Sequence, residues 1–442
     1  MKKKYIAPVL LIIICIALIV FVEKKINQIR LHEKIAVYTS TENLPPGIAF
    51  VNVGLGAFKG IFSDILWLKA ISLQEQGKYF EMGKIAYWIT KLNPQFTGAT
   101  TFLAWNMAYN ISIMYADPKD KWQWVENAIV VLEDAIRYNP NAPDLYKELA
   151  WIYLNKIGDV FDSGNLYYKT QIAFEMQKII GKDPSVDFWE SLVSARSSSD
   201  EFFPKKEQLK NEFMLEPKYI IEINKKFGIL DWRVSQSLAI YWAYRATLID
   251  TKSKIYFKTL MMSLTAYAYN GKILFLDETH YSDFTSMPDF IMIDRMNSYF
   301  KKQIESGDRD SYGNLYFTFL NKALDKSCLF GKLDLAKKLL ADMKNYFTNV
   351  SYDNFDEYFK NYIQNYLSEK NENDFIESLK EYLKIAVVLD METKEKSSSD
   401  AIISMWKVLF ESYQKLNPAS KFPPFERYFD EEKSEFIKIE KY

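Results

Sequence analysis

The chain has 442 residues, 48% apolar and 26% charged, with a formal net charge of −1 at pH 7. Such a balance suits a chain that buries a core, and it offers no basic field for nucleic acid. Its two cysteines, Cys15 and Cys328, are too few and too far apart for a disulfide framework.

Residues 1–4 form a short tail carrying Lys2, Lys3 and Lys4. An apolar run follows from Tyr5 to Val22. At ~1.5 Å rise per residue it covers roughly 27 Å, close to the hydrocarbon thickness of a bilayer. It ends Val20-Phe21-Val22-Glu23, without a small-residue cleavage site, so it reads as an uncleaved signal anchor over residues 5–22. Lys24, Lys25, Arg30 and Lys34 nearly balance the lysines in front of it. A tail this short is usually left inside by a signal anchor, so the body is expected to be extracytoplasmic. Residues 23–60 read as tether and linker, broken at Pro45-Pro46-Gly47. Ile48 to Gly60 imitates a dinucleotide-binding turn through Gly54, Gly56 and Gly60. The third glycine is one residue late, and no second strand follows, so no cofactor is expected.

Helical patterning begins at residue 61. Ile61 to Gln74 reads as one helix, Gly77-Lys78-Tyr79 as a turn, and Phe80 to Leu92 as the returning helix. Met82, Ile85, Ala86 and Ile89 recur at helical spacing as one buried stripe. Pro94 ends it, because proline pushes Asn93 out of the helical region. A block then repeats. Asn93-Pro94 with Leu103-Ala104-Trp105 returns as Asn139-Pro140 with Leu149-Ala150-Trp151, displaced by 46 residues. The second hairpin runs from Phe102 to Pro140 with a turn at Asp117-Pro118. The third starts at Asp144, turns over Gly158 to Gly164, and closes at Asp183-Pro184. The block reads as packing code, with Trp67, Trp105 and Trp151 wedging neighbouring hairpins and Tyr79, Pro94, Pro140 and Pro184 marking turns and ends.

Gly77, Tyr79 and Pro94 sit at the offsets of a tetratricopeptide unit, which this region resembles. Gly331 and Ala336 fit the same turn, and Lys415-Leu416-Asn417-Pro418 repeats the ending Lys91-Leu92-Asn93-Pro94. Met82 stands where a small residue is usual, and the second and third units are longer than the standard repeat. The chain also looks like membrane-anchored bacterial proteins of this type with no characterised function. The resemblance implies an all-α, tetratricopeptide-like solenoid of helical hairpins behind one N-terminal transmembrane helix. It covers residues 61–184 well and residues 311–442 in part, with an irregular helical region over 185–310. In that region Ser235 to Asp250 reads as a strong helix and Gly271 to Pro288 as a long connection. Ser397 to Asp400 reads as a turn and cap before a helix over Ala401–Leu416.

Chemistry is sparse. Asp308 to Gly313 opens like a calcium loop, but position twelve is Phe319, so the bidentate ligand is missing. His32 and His280 are the only histidines. Asp277, Glu278, His280 and Asp283 lack a recognised ligand spacing and read as solvated loop residues, so no metal is expected. No phosphate-binding loop, nucleophile elbow or zinc-protease motif occurs, and no catalytic residue is assigned. Asn106 and Asn110 share a helix face beside Trp105, and Asp231-Trp232-Arg233 is a second polar-aromatic cluster. Asn106, Asn110, Asp231 and Arg233 are therefore candidate groove residues for a protein or peptide partner. Their commoner use is internal, with Asp231 capping a helix and pairing with Arg233. The sequence thus points to a non-catalytic scaffold at the cell envelope, tethered to the lipid bilayer through residues 5–22. The alternative is an all-helical protein that binds or cleaves polysaccharide. Two carboxylates about 5–9.5 Å apart in one cleft would mark it.

Overall fold

Lys59–Glu75 (α1) ends in a left-handed turn. Gly77 takes φ +72°, and Lys78 N–H reaches Leu73 O at 2.9 Å, the long-range bond of a Schellman cap. Tyr79–Leu92 (α2) returns, burying Met82, Ile85, Ala86 and Ile89 as its spacing predicts. Asn93 leaves the helix at φ −135°, ψ 78°, and its N–H bonds Ile89 O at 2.8 Å. Thr97–Trp105 (α3) carries the first Leu-Ala-Trp block and Pro118–Tyr138 (α4) follows, started by Asp117 accepting from Lys119 N–H. α4 ends like α2: Asn139 has φ −129°, ψ 63°, and its N–H bonds Ala135 O. Its side chain donates to Pro94 O at 2.8 Å, so one copy of the Asn-Pro element ties to the other. Pro143–Trp151 (α5) carries the second block.

The computed structural model describes residues 59–159, 162–276, 284–307, 309–348, 350, 352–420 and 422–439, with isolated helical positions Leu18, Phe21, Val22, Lys24, Lys25 and Gln28. The expected membrane span over residues 5–22 thus lies almost wholly outside the described residues, as do the linker before Lys59, His32 and the Asp277–Asp283 cluster. Among the described residues no helix is long and apolar enough to cross a membrane. The described residues form an all-α protein with one small β-hairpin, divided into two units. The first holds the chain up to Asn165 together with Trp242–Tyr256; the second holds Leu166–Tyr241 and the chain from Phe257 onward.

In the first unit consecutive helices α1 to α5 pack as neighbours, and α3 also lies against α5. Ala70, Leu73, Met82, Ile89, Ala99 and Leu103 form a core, with Trp67 against Phe96 and Phe102 at 5.4 and 4.7 Å between ring centres. Within the repeated block, Leu103, Ala104, Leu149 and Ala150 are buried, whereas Trp105 is 40% exposed. The packing role of the block therefore sits in Leu-Ala, and Trp105 faces the surface.

Further along come Asn165–Ile180 (α6), Val186–Ser194 (α7), Phe203–Glu212 (α8), Pro217–Phe227 (α9), Ser235–Ile249 (α10) and Lys254–Asn270 (α11). Where the sequence suggests a long connection, Lys272–Leu276 (β1) and Phe284–Met287 (β2) pair antiparallel, Lys272 opposite Met287. A bulge between Ile273 and Phe275 shifts the register, so the apolar run lacks the clean alternation that signals a strand. Phe290–Glu305 (α12), Arg309–Leu329 (α13), Leu333–Tyr346 (α14), Phe355–Ser368 (α15), Glu372–Met391 (α16), Lys396–Leu416 (α17) and Phe425–Ile439 (α18) complete the chain. α17 starts earlier than its serines suggest: Ser399 Oγ donates to Ala386 O at 2.7 Å and does not cap its own helix. The core of this unit is aromatic, with Phe375 stacked on Tyr413 at 4.3 Å and Tyr382 on Trp406 at 4.6 Å.

Gly331 reproduces the Gly77 turn, with φ +67° and Lys332 N–H on Ser327 O at 2.8 Å. The surroundings differ. A Cβ at Gly77 meets nothing within 4 Å, but one at Gly331 falls 2.3 Å from Ala401 O. Gly77→Ala is expected to cost about 1–2 kcal/mol through backbone strain alone. Gly331→Ala adds overpacking of about 1–3 kcal/mol. Urea unfolding of the two variants should rank them in that order, and equal midpoints would refute the clash.

Candidate functional site

Both Leu-Ala-Trp helices change character at the tryptophan. After Trp105 the chain widens into a π-helix over Asn106–Ile111, closed by a 3-10 turn over Ser112–Met114. After Trp151 it widens again over Ile152–Ile157. In the first case a side chain enters the ladder: Asn106 Nδ2 donates to Phe102 O at 2.8 Å, and Asn106 Oδ1 accepts from Asn110 Nδ2 at 2.6 Å. In the second, Gly158 N–H reaches Tyr153 O, five residues back, at 3.1 Å. Such widened turns are rare and frequently mark functional sites.

The two π segments touch one another. Tyr109 and Asn155, equivalent positions of the 46-residue repeat, meet through Tyr109 Oη donating to Asn155 Oδ1 at 3.3 Å. Beside them opens a cleft of about 620 Å³ lined by Tyr109, Ile113, Lys121, Asn155, Lys156, Asp162 and Ser163. The apolar and aromatic part of its lining is Tyr109 and Ile113. Trp105 stacks on Tyr109 with ring centres 5.6 Å apart, and Ile113, one turn further, is 59% exposed.

The floor is ionic and buried. Lys121 in the first turn of α4 is 8% exposed, and Lys156 in the second π segment 5%. Both reach Asp162 in the turn before α6. Lys156 Nζ bonds Asp162 Oδ2, and Lys121 Nζ lies 3.5 Å from Oδ1. Gly164 N–H adds a bond to Oδ1 at 2.8 Å, and Lys121 donates to Ser163 Oγ at 2.7 Å. Burial works to raise the Asp162 carboxyl, but the hydrogen bonds from Lys156 and Gly164 and the two positive charges outweigh it, and the group titrates below its ordinary range. Lys156 titrates below the usual lysine range, through burial first and the charge of Lys121 after it, against the pull of Asp162. Its ammonium stands 5.6 Å from the Tyr109 ring centre. Burial, and then the Glu148 charge, raise the Tyr109 phenol far above its ordinary value, so it stays neutral.

The candidates singled out by sequence fall on this picture unevenly. Asn106 is fully buried at the top of the first π segment and Asn110 is bonded to it, so both serve the helix that bears the cleft wall. Asp231 and Arg233 belong to the other unit and hold each other. Arg233 Nε and one terminal nitrogen donate to the two Asp231 oxygens at 2.9 and 2.8 Å. The remaining bonds reach Gln177 Oε1 at 2.8 Å and Ile273 O at 3.2 Å, and Ile273 N–H returns to Asp231 at 3.0 Å. This is a fastening of α6 and β1 to the loop before α10. Sequence reading misses Lys121, Asn155, Lys156 and Asp162. One signal was present: Lys121 lies one turn before Val125 on the buried stripe that continues through Ala128 and Leu132.

No protein-family model, curated protein or solved structure matches the chain. Among the described residues no group of histidine, cysteine or carboxylate side chains is placed to hold a metal. Asp162 is the one carboxylate lining the cleft, and two ammonium groups engage it.

Proposed function

We propose that the chain is a tetratricopeptide-like, membrane-tethered scaffold that binds a protein or peptide segment without catalysing a reaction. The supporting observation is the Trp105–Tyr109–Ile113 edge. Tyr109 and Ile113 line a cleft with hydrogen-bonding groups at its base, and the exposed Trp105 ring stacks on Tyr109 beside it. Clefts of this size, mostly apolar with a few convergent polar groups, suit a short chain segment. Packed consecutive hairpins give this edge a rigid backing, and the apolar run at residues 5–22 would hold it at a bilayer surface and raise its effective concentration there. The polysaccharide alternative is less well supported here, because the two-carboxylate arrangement is not among the residues lining this cleft.

The test uses the full chain in an uncharged detergent, applied to a random-peptide array and to a glycan array. Selected peptides should bind the wild type and lose about tenfold or more with Trp105→Ala, as expected for loss of an aromatic anchor. Glycan retention without peptide binding would reverse the assignment. A reporter fused to the C-terminus checks the tether; cytoplasmic activity would remove the envelope placement.

A further inference from the structure

We infer that the Lys121–Lys156 floor of this cleft receives the C-terminal carboxylate of a peptide whose last side chain is apolar. The inference rests on the scaffold reading above and names the chemistry of its ligand. Three observations carry it.

The first is charge. Two ammonium groups share one carboxylate, so the charged side chains lining the cleft are two positive and one negative. Buried ammonium groups favour anionic partners, and a monoanion entering the cleft would balance the charged lining. A dianionic phosphate would overshoot that balance.

The second is hydrogen-bonding capacity. Asp162 already accepts from Lys156, Lys121 and Gly164. Lys121, by contrast, spends one good bond on Ser163 and reaches Asp162 only at 3.5 Å. An ammonium has three protons to give, so Lys121 retains capacity toward the cleft. Asn155 and Ser163 supply polar groups on the same lining.

The third is spacing. The Lys156 ammonium stands 5.6 Å from the Tyr109 ring centre, and Ile113 lines the same cleft. A ligand that uses both the ammonium floor and the Tyr109–Ile113 lining therefore needs its carboxylate and apolar group close together. A C-terminal residue has both on one Cα. An internal aspartate puts its apolar neighbour on the next Cα, about 3.8 Å further along the chain.

Saturation-transfer NMR on the full chain in an uncharged detergent tests this with four probes: N-acetyl-phenylalanine, its amide, N-acetyl-aspartyl-phenylalanine amide, and phenyl phosphate. N-acetyl-phenylalanine should bind about tenfold or more tightly than its amide, a charge-assisted bond being worth that factor. Lys121→Met and Lys156→Met should each erase the preference. The comparison of acid with amide in the wild type stands even if a variant fails to fold. Equal binding of acid and amide, or tighter binding of the aspartyl amide or of phenyl phosphate, overturns the inference. Array peptides that depend on Trp105 but not on Lys121 or Lys156 overturn it too, while leaving the scaffold reading intact.

Discussion

Replacing Arg233 with methionine is expected to destabilise the protein by about 3–5 kcal/mol, the cost of stranding the partner of a buried ion pair. Arg233 is 7% exposed and each of its three side-chain nitrogens donates, to Asp231, Gln177 or Ile273 O. Removing it leaves Asp231 charged and buried, with Ile273 N–H and Arg233 N–H its only remaining strong donors. The Gln177 oxygen also loses the Arg233 bond. Low exposure, 9% and 14% of the two side chains, separates this pair from exposed ones such as Arg137–Asp134, where each side chain is about half exposed and truncation is expected to cost under about 1 kcal/mol. Arg233→Lys keeps the charge but loses the two-pronged geometry, so it should recover only part of the loss. Urea unfolding of R233M, R233K and R137M checks the order. A loss below about 1 kcal/mol for R233M would mean that the pair is not a fastening. The double variant Asp231→Leu with Arg233→Met removes both charges, and should be less destabilised than R233M alone.

The parts of this molecule that were legible beforehand are those set by local rules. Asn93, Asn139 and Asn417 all leave their helices at φ between −135° and −125°, because each precedes a proline. Gly77 and Gly331 close their helices with the same left-handed cap. Helix stripes such as Met82–Ile89 follow from spacing alone. What escaped reading depends on contacts distant in sequence. The tryptophans of the repeated block look like core residues by composition, yet Trp105 lies outside while the small Ala104 packs inside. A π-helix has no sequence period of its own, so the widening after each block could be found only by the hydrogen bonds that close it. The ionic floor combines Lys121 with Lys156 and Asp162, more than 30 residues further on, and neither the exposed-lysine expectation nor any motif joins them. Asp231 and Arg233, two residues apart, were legible as a pair; that Ile273 and Gln177 complete the knot was not.

Raising the pH from 5 to 9 is expected to weaken the first unit, with Glu133 a main contributor beside Glu148, whose carboxyl pKa burial also raises. Glu133 lies on the inner face of α4, 5% exposed, and its Oε1 has no hydrogen-bond partner. Burial pushes its pKa from 4.5 up to about 8; Arg137 pulls it down and Asp134 pushes it up, both by less. Below pH 4.5 folded and unfolded chains both hold the proton and the group is neutral to stability. Between 4.5 and 8 the unfolded chain releases it while the folded chain keeps it, so each added pH unit favours unfolding. Above 8 the whole difference is lost, on the order of 5 kcal/mol. Asp162 acts in the opposite sense and in another window. Its lowered pKa contributes stability above about 3.8, which disappears as the pH falls through the folded value. Asp162 therefore weakens the unit toward acid and Glu133 toward alkali. Glu133→Gln keeps the shape and removes the charge. The variant should match the wild type within about 1 kcal/mol at pH 5 and exceed it by several kcal/mol at pH 9. Subtracting variant from wild type across a pH series of urea unfolding curves isolates Glu133 from Lys156, whose lowered pKa acts with the opposite sign at higher pH. A difference that stays flat from pH 5 to 9 would mean that the carboxyl finds water or a cation in the folded chain, and that the inner face of α4 is open where it should be closed.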